Sequence, residues 1–412
     1  MSQSDIIVGL DMGTTKICAI VGRIADSGDI EVIGIGSSPS TGLRKGVVVN
    51  IDQTVGAVRR ALDEAETMAG CQIDTVYTGI AGSHIKSFDS HGVVAVNNGE
   101  VTQDVIDRAM EAAKAVAIPQ GYKVLHTLAQ EYIVDEQRGI IDPLGMSGVR
   151  LEVRVHIVTG AVSSAQNIER CCERSDLTVA DTVLESLASS LAVLTDEERE
   201  IGVAIVDLGG GTCDIAVIAN GTIRFTSVLP LGGQNLTNDI AVVMGTPIAA
   251  AERIKVKHGC AISDMVRPDE YIEVPSVGGR GPRRLQRQIL ADICEPRMEE
   301  ILTLVDQELE RSKFKKYIGA GVVLTGGCAL LQGCQELAES IFGVPTRIGY
   351  PRNVSGLRDM VNSPKYSTAV GLLRYGADKR NNPEPSARGD SKTGRGLASL
   401  FSRMKKWFSE IS

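Results

Sequence analysis

Two aspartates 196 positions apart head the same short pattern, Asp11 in LDMGTTK and Asp207 in VDLGGGTCD. Each ends an apolar run and opens a turn of Gly and Thr. Phosphate oxygens are held by several backbone N–H groups that converge where no side chain intervenes, which suits Gly and Thr. A carboxylate at each strand end can hold Mg²⁺ through its waters, since that ion keeps much of its hydration shell. Lys16 adds a point charge for β- and γ-phosphates. A lone GGGT turn is an ordinary β-turn. Two such turns at half-length, followed by the strand and turn VVLTGGCALLQG (Val322–Gly333), predict a nucleotide site.

The elements that must position these turns can be read from the pattern. Ile6–Val21 and Val203–Ile218 are hairpins whose strands are apolar on both faces. Their repetition at nearly half the chain predicts two related domains facing each other across a cleft. Helical spacing runs over Asp52–Ala69, and a strand follows at Thr75–Ile80. Between residues 83 and 160 the pattern breaks: a helix over Thr102–Ala117 is flanked by strands at Val93–Val96, Lys123–Leu128 and Arg150–Val158, the signature of an inserted α+β block. Helices are expected over Val162–Ser175, Asp181–Leu194 and about Glu295–Lys313, with a strand at Gly321–Leu324.

Composition bounds the function. The chain has 412 residues, 43% hydrophobic and 23% charged, ordinary for a protein with packed cores and long enough for several structural units. No apolar run approaches the length of a bilayer span, and MSQSDIIVGLDMG lacks the basic start of an export signal. Nine cysteines without CxxC spacing read as reduced thiols of a cytoplasmic protein. Five scattered histidines predict no metal cluster. The net charge of −8 conceals a tail, Lys379 to Ser412, with eight basic and three acidic residues. An acidic body is a poor match for nucleic-acid phosphates, and the basic tail points to an anionic partner reached by the tail alone.

LDMGTTK, VDLGGGTCD and VVLTGGCALLQG resemble the phosphate and adenosine motifs of the actin, sugar-kinase and heat-shock-chaperone superfamily over about residues 5–376. The strings SGVRLEVRVHIVTG, AERIKVKHG, VPSVGGRGPRRLQRQ and PKYSTAVGLLRYG, with the inserted block, narrow the resemblance to the FtsA family of bacterial cell-division proteins. It implies an α/β, actin-like two-lobed ATPase fold with an inserted strand-helix-strand-strand (SHS2-type) subdomain and a C-terminal amphipathic helix. The implied units are subdomain 1A at 1–82, 161–195 and 366–376, the insertion 1C at 83–160, subdomain 2A at 196–230 and 306–365, and subdomain 2B at 231–305. A flexible linker at 377–395 and a membrane-targeting helix at 396–412 complete the set.

The same resemblance assigns ATP contacts. Gly13, Thr14, Thr15 and Lys16, with Gly209, Gly210, Gly211 and Thr212, hold phosphates. Asp11 and Asp207 serve Mg²⁺ through water, and Gly232 and Gly233 border the cleft. Glu252 and Lys255 reach ribose and adenine, and Gly326 and Gly327 back the adenosine. Without the resemblance, Glu252 and Lys255 read rather as a surface i, i+3 ion pair. Glu185 stands where actin-like ATPases keep a water-orienting residue, so it is the candidate for hydrolysis; a capping or solvated Glu is the other reading. ATP is expected mainly to control assembly, with slow turnover.

Arg280, Arg283, Arg284 and Arg287 lie in or beside a Gly/Pro turn, with Arg297 on the next helix. Arg forks match carboxylates, although a solvated loop fits the composition too. In the FtsA family this subdomain receives the C-terminal peptide of the tubulin-like protein FtsZ, so Arg283 and Arg297 are the implied contacts. At the end of the chain Leu397, Leu400, Phe401, Met404, Trp407, Phe408 and Ile411 form one apolar helical stripe opposite Arg403, Lys405 and Lys406. A helix of that kind lies in an anionic membrane surface or docks on protein; the polar linker before it favours the membrane. The expectation is therefore an actin-like protein that assembles on the cytoplasmic face of the bacterial inner membrane at the division site. It would form filaments with itself, anchor FtsZ, and reach later division proteins through residues 83–160. An actin-like pilus-assembly ATPase and a small-molecule kinase of the superfamily are the alternatives.

Overall fold

Near-continuous Val, Ile and Leu make Ile6–Met12 (β1), Lys16–Ile24 (β2) and Ile30–Pro39 (β3) an antiparallel meander buried on both faces of its first two strands. The computed structural model describes residues 6–25 and 30–381, so the amphipathic segment and most of the expected linker lie outside the described residues. A short ribbon, Leu43–Arg44 (β4) with Val47–Val48 (β5), leads to helix α1 (Ile51–Ala69). Its N-cap Asn50 accepts the Gln53 N–H at 3.0 Å, and Gly70, in the left-handed region at φ 66°, ends it. The buried stripe Val55, Val58, Ala61 and Leu62 packs α1 onto β3, and Thr75–Ile80 (β6) pairs in parallel with β1.

Residues Lys86–Ala95 (β7), Gln103–Lys114 (α2), Tyr122–Val134 (β8), Gln137–Ile140 (β9) and Arg150–Ala161 (β10) then build a separate antiparallel sheet, ordered β7-β10-β8-β9. Its own core joins Val105 and Ala109 of α2 to Leu151, Val153 and Val155. The chain returns through α3 (Val162–Glu173) to Thr178–Leu184 (β11), which pairs in parallel with β6. A strand here replaces the first part of the helix expected from Asp181. The β-branched Thr178, Val179, Thr182 and Val183 fit a pleated edge, and the helix α4 starts at Glu185 and ends at Val193.

After α5 (Asp196–Ile201) comes a second meander, Val203–Leu208 (β12), Cys213–Ala219 (β13) and Thr222–Leu229 (β14). Gly233–Met244 (α6), Ile248–His258 (α7), the hairpin Tyr271–Val274 (β15) and Arg283–Gln286 (β16), and Arg287–Ser312 (α8) form the cap over it. Arg283 and Arg284 are thus strand residues beside the Gly/Pro turn. The long α8 begins before the expected Glu295 and runs through the boundary expected at 305–306. Val322–Thr325 (β17), Cys334–Phe342 (α9) and Thr346–Ile348 (β18) complete a sheet ordered β14-β13-β12-β17-β18. Val354–Gly356 (β19) crosses back to pair with β3, and Arg358–Val361 (α10) and Ser367–Asn381 (α11) follow. Since α11 extends to Asn381, residues 377–381 are helix, not linker.

The duplication is structural as well as sequential. The first lobe reads β3-β2-β1-β6-β11 and the second β14-β13-β12-β17-β18, and both meanders slip register at the same offset, after Val21 and after Val217. The inserted sheet belongs to the first lobe by connection yet bonds to the second. His156 of β10 bridges Asp89 (2.8 Å) and Thr226 (2.9 Å), and Gln130 of β8 donates to the carbonyls of Ile223 and Arg224, both at 3.3 Å. Among the described residues no helix is long and apolar enough to cross a membrane.

Candidate nucleotide-binding cleft

Each meander delivers its aspartate to the mouth of a four-residue turn. The Gly13 N–H donates to the Lys16 carbonyl and the Gly209 N–H to the Thr212 carbonyl, both at 3.0 Å. The two turns meet face to face. A Cβ on Gly210 would run into Thr15, and one on Gly211 would run into Thr14, so only glycine lets the loops approach this closely. The loop after β14 joins them: Gly233 and Gln234 at the start of α6 donate their N–H groups to the Gly209 and Gly210 carbonyls at 3.0 and 2.8 Å. Gly326 sits at φ 85°, where its missing side chain leaves room for the Asp207 carboxylate and the Leu208 carbonyl.

Four acids converge below the turns. Asp11 and Asp207 are buried at equivalent strand ends, and Asp214 is buried opposite Asp207 in the β12–β13 register. Burial lifts the Asp11 carboxyl to about 6, with Lys16 opposing and Asp207 adding. Burial and then repulsion from Asp207 lift Asp214 to about 8, against a hydrogen bond from Thr212 at 2.8 Å. Asp207 is raised by burial as well. Ser189 of α4 (2.5 Å) and Thr368 of α11 (3.1 Å), which donate to its carboxylate, hold it down. Glu185, half-buried at the start of α4, is pushed well above the ordinary range by burial and by Asp214, Asp11 and Asp207. Asp214 Oδ1 is buried without a hydrogen-bond partner.

These groups fit Mg²⁺. Buried carboxyls pushed upward by one another are short of positive charge, and the orphaned Asp214 oxygen marks where compensation is missing. Among the described residues no three His, Cys, Asp or Glu groups are placed to hold a metal ion directly, and Mg²⁺ is an ion that commonly binds through its waters. Lys16 is close by but turned aside: its Nζ donates to the Lys365 carbonyl at 2.6 Å and lies 4.2 Å from the centre of the Tyr366 ring.

Along the far wall Lys255 is buried and fully engaged. Its Nζ donates to the Gly233 carbonyl (3.0 Å), Thr237 Oγ1 (2.9 Å) and Glu252 Oε2 (2.8 Å), and Thr237 also donates to Glu252. An ammonium with three acceptors has no donor to spare, so Lys255 shapes the wall instead of reaching outward. A Cβ on Gly233 would collide with the Cys328 thiol beside Lys255, which makes Gly232–Gly233 and Gly326–Gly327 a cradle without side chains.

Elsewhere the structure modifies the sequence reading. Arg297 is not free: it pairs with Asp239 of α6 through Nε (2.6 Å) and Nη2 (3.2 Å), and with Glu300. Arg283 donates to the Met244 carbonyl at the end of α6. The cleft residues missed from sequence are Asp214, Ser189, Thr237 and Thr368. Asp214 lies within the VDLGGGTCD motif and its seven-residue spacing from Asp207 was available. The three hydroxyls come from α4, α6 and α11, and only folding brings Ser189 and Thr368 to Asp207 and Thr237 to Glu252 and Lys255.

The model of the family described as cell division protein FtsA matches residues 204–371, and that of the SHS2 domain inserted in FtsA matches residues 82–159. A cell division protein FtsA of Pseudomonas aeruginosa is 52% identical over 409 residues, spanning 99% of this chain and 98% of its own. That of Escherichia coli K12 is 44% identical, spanning 98% and 97%. Among solved structures, the PilM–PilN type IV pilus biogenesis complex aligns at a TM-score of 0.64 with 17% identity, covering 92% of this chain and 99% of that one. MreB5 of Spiroplasma citri bound to ADP aligns at 0.56 with 14% identity, covering 92% and 99%. At such identities the likeness is one of fold: actin-like, two-lobed, α/β.

Proposed function

The chain belongs to the FtsA family of actin-like cell-division proteins, and on that premise we propose that it is an ATP-controlled adaptor between the membrane and the division filament. The observation that carries this reading is the meeting of the two glycine turns above Asp11, Asp207 and Asp214. Gly13, Thr14 and Thr15 from one lobe and Gly209, Gly210, Gly211 and Thr212 from the other enclose the phosphates. Lys16 swings from the Lys365 carbonyl to them. Asp11 and Asp207 would hold Mg²⁺ through its waters, with Asp214, paired to Asp207 across the hairpin, adding negative charge. The ion, when bound, neutralises charge on the phosphate oxygens. Gly232, Gly233, Gly326 and Gly327 receive the nucleoside, and Glu252, fixed by Lys255 and Thr237, accepts from the ribose. Glu185, at the start of α4 among Asp11, Asp207 and Asp214, would orient a water for slow turnover. MreB5, a neighbour in fold, carries ADP, which supports a nucleotide here.

Assembly would then proceed on the cytoplasmic face of the inner membrane at the division site. Leu397, Leu400, Phe401, Met404, Trp407, Phe408 and Ile411 enter the anionic surface. The chain forms filaments with itself, and the inserted SHS2 sheet receives later division proteins. The FtsZ C-terminal peptide docks on subdomain 2B, its carboxylates replacing Asp239 on Arg297, with Arg283 beside it. The FtsA relatives align over nearly the whole chain, which favours the division role over the pilus-assembly and kinase alternatives.

The test is electron microscopy of the full chain with anionic vesicles, ATP and FtsZ. Vesicles coated with FtsZ filaments only when ATP is present are expected. Trp407→Glu with Phe408→Glu should leave the protein off the vesicles, and Arg297→Glu should leave the coat without FtsZ. Identical coats with and without ATP would overturn the reading.

A further inference from the structure

We infer that the cavity at the crossover between the two sheets is a second anion site, built for a phosphate group. The segment from β18 of the second lobe to β19 of the first borders a solvent-open hollow of about 450 Å³, a volume suited to a small ligand. Its polar lining is Arg347, Arg352, Arg358, Tyr350, Asn353 and Asn362, without a single carboxylate. On a chain whose net charge is −8, three guanidiniums around one hollow run against the general surface.

The three arginines differ in what they already hold. Arg347 is spent: Nε and Nη2 grip Glu198 at 2.6 and 2.7 Å, and Nη2 also reaches the Val193 carbonyl at 3.0 Å. Among the described residues neither Arg352 nor Arg358 has a hydrogen-bonded or ion-paired side-chain partner. The carboxylates whose fields reach Arg352 are Glu198, committed to Arg347, and the solvent-exposed Glu197. Two exposed forks, with amide and phenol groups that can also donate and no carboxylate to oppose them, match a group with many charged oxygens. A phosphate offers three such oxygens and a carboxylate two.

The position gives an occupant leverage. Two of the last carbonyls of α4 are held from this side, Ala192 by the Arg352 N–H (2.9 Å) and Val193 by Arg347 Nη2 (3.0 Å). The other end of α4 carries Glu185 and Ser189 into the acid cluster. A phosphate held by Arg352 and Arg358 therefore sits at the joint of the lobes, on a segment tied through Arg347 and the Arg352 N–H to the helix that touches Asp207.

The probe is inorganic pyrophosphate, titrated calorimetrically into the full chain saturated with ATP and Mg²⁺ and into its Arg352→Gln/Arg358→Gln variant. Wild type should bind one pyrophosphate and the variant at least tenfold more weakly. Arg352→Lys/Arg358→Lys, which keeps charge but loses the forks, should fall between. A parallel arm compares sedimentation with phosphatidylglycerol and phosphatidylcholine vesicles. A severalfold loss by the Gln variant on phosphatidylglycerol alone assigns the phosphate to a lipid headgroup, and a loss confined to pyrophosphate assigns it to a soluble ligand. Equal behaviour of wild type and Gln variant in both arms overturns the proposal, as does tighter binding of a hexaglutamate peptide than of pyrophosphate. Unchanged melting temperatures would exclude misfolding as the cause of any loss.

Discussion

The two turns of the cleft have the same backbone and opposite chemistry. Offset by 196 positions, Asp11 corresponds to Asp207, Gly13 to Gly209, Thr14 and Thr15 to Gly210 and Gly211, Lys16 to Thr212, and Cys18 to Asp214. The contacts between them follow a two-fold: Thr15 faces Gly210 and Thr14 faces Gly211, so each contact is the other's image. Within that symmetry the first lobe supplies side chains and a cation, and the second supplies empty space and an extra carboxylate. Duplication provided the shape of the cleft. Divergence at a few equivalent positions provided its polarity, with Thr14, Thr15 and Lys16 on one side and three glycines and an extra carboxylate, Asp214, on the other.

Filling the space in the second lobe should do the most damage. Gly211→Val would drive two methyl groups into Thr14, holding the turns apart with the fold of each lobe intact. ATP affinity should drop by more than about 100-fold, several kcal/mol by the usual conversion, in titrations with a fluorescent ATP analogue. Thr14→Gly in the same chain should recover part of the loss, because the knob is removed to suit the new one. No recovery would mean that the two loops do not interlock as described.

Next in size is the extra carboxylate. Asp214 and Asp11 titrate at about 8 and about 6 in the folded chain, above the ordinary 3.8. Native protein therefore holds these protons more tightly than the unfolded chain does. The associated stability is complete below pH 3.8 and is lost as pH climbs through about 6 and then about 8. Without ligand, the melting temperature should fall between pH 6 and pH 8.5. Asp214→Asn, unable to ionise, should flatten the upper part of that fall and melt several degrees higher at pH 8.5. It should also bind ATP with Mg²⁺ about tenfold more weakly. An unchanged pH slope in the variant would remove Asp214 as the source.

How far the sequence foresaw this follows the range of the interactions involved. The hairpins, α1 and β6 are written in local periodicity, and both glycine turns in local composition. Strand β11 was misread because Asp181–Leu194 carries apolar residues at either period, and its pairing with β6 decided between them. The engagement of Lys255 by Thr237 and Gly233, the capture of Arg297 by Asp239, and the convergence of Ser189 and Thr368 on Asp207 join residues from 18 to 161 positions apart. No spacing rule reaches them. Asp214 is the instructive miss: comparing the two motifs position by position, not only matching them, exposes an acid where its counterpart is Cys18.

That counterpart supplies the smallest expected effect and the sharpest check on the comparison. Cys18 pairs with Asp11 across the β1–β2 hairpin just as Asp214 pairs with Asp207, and it is completely buried. Its thiol is pushed up to about 11, chiefly by burial, so it is neutral at any physiological pH and behaves as a small apolar side chain. Cys18→Ala removes one sulfur from a packed core and should cost about 1 kcal/mol of stability, read as a small drop in melting temperature. ATP affinity should stay within about twofold of wild type, because nothing charged or donating has left the cleft. If Cys18→Ala weakened ATP as much as Asp214→Asn does, the two positions would share a role. The polarity of the cleft would then have to arise from something other than the difference between the lobes.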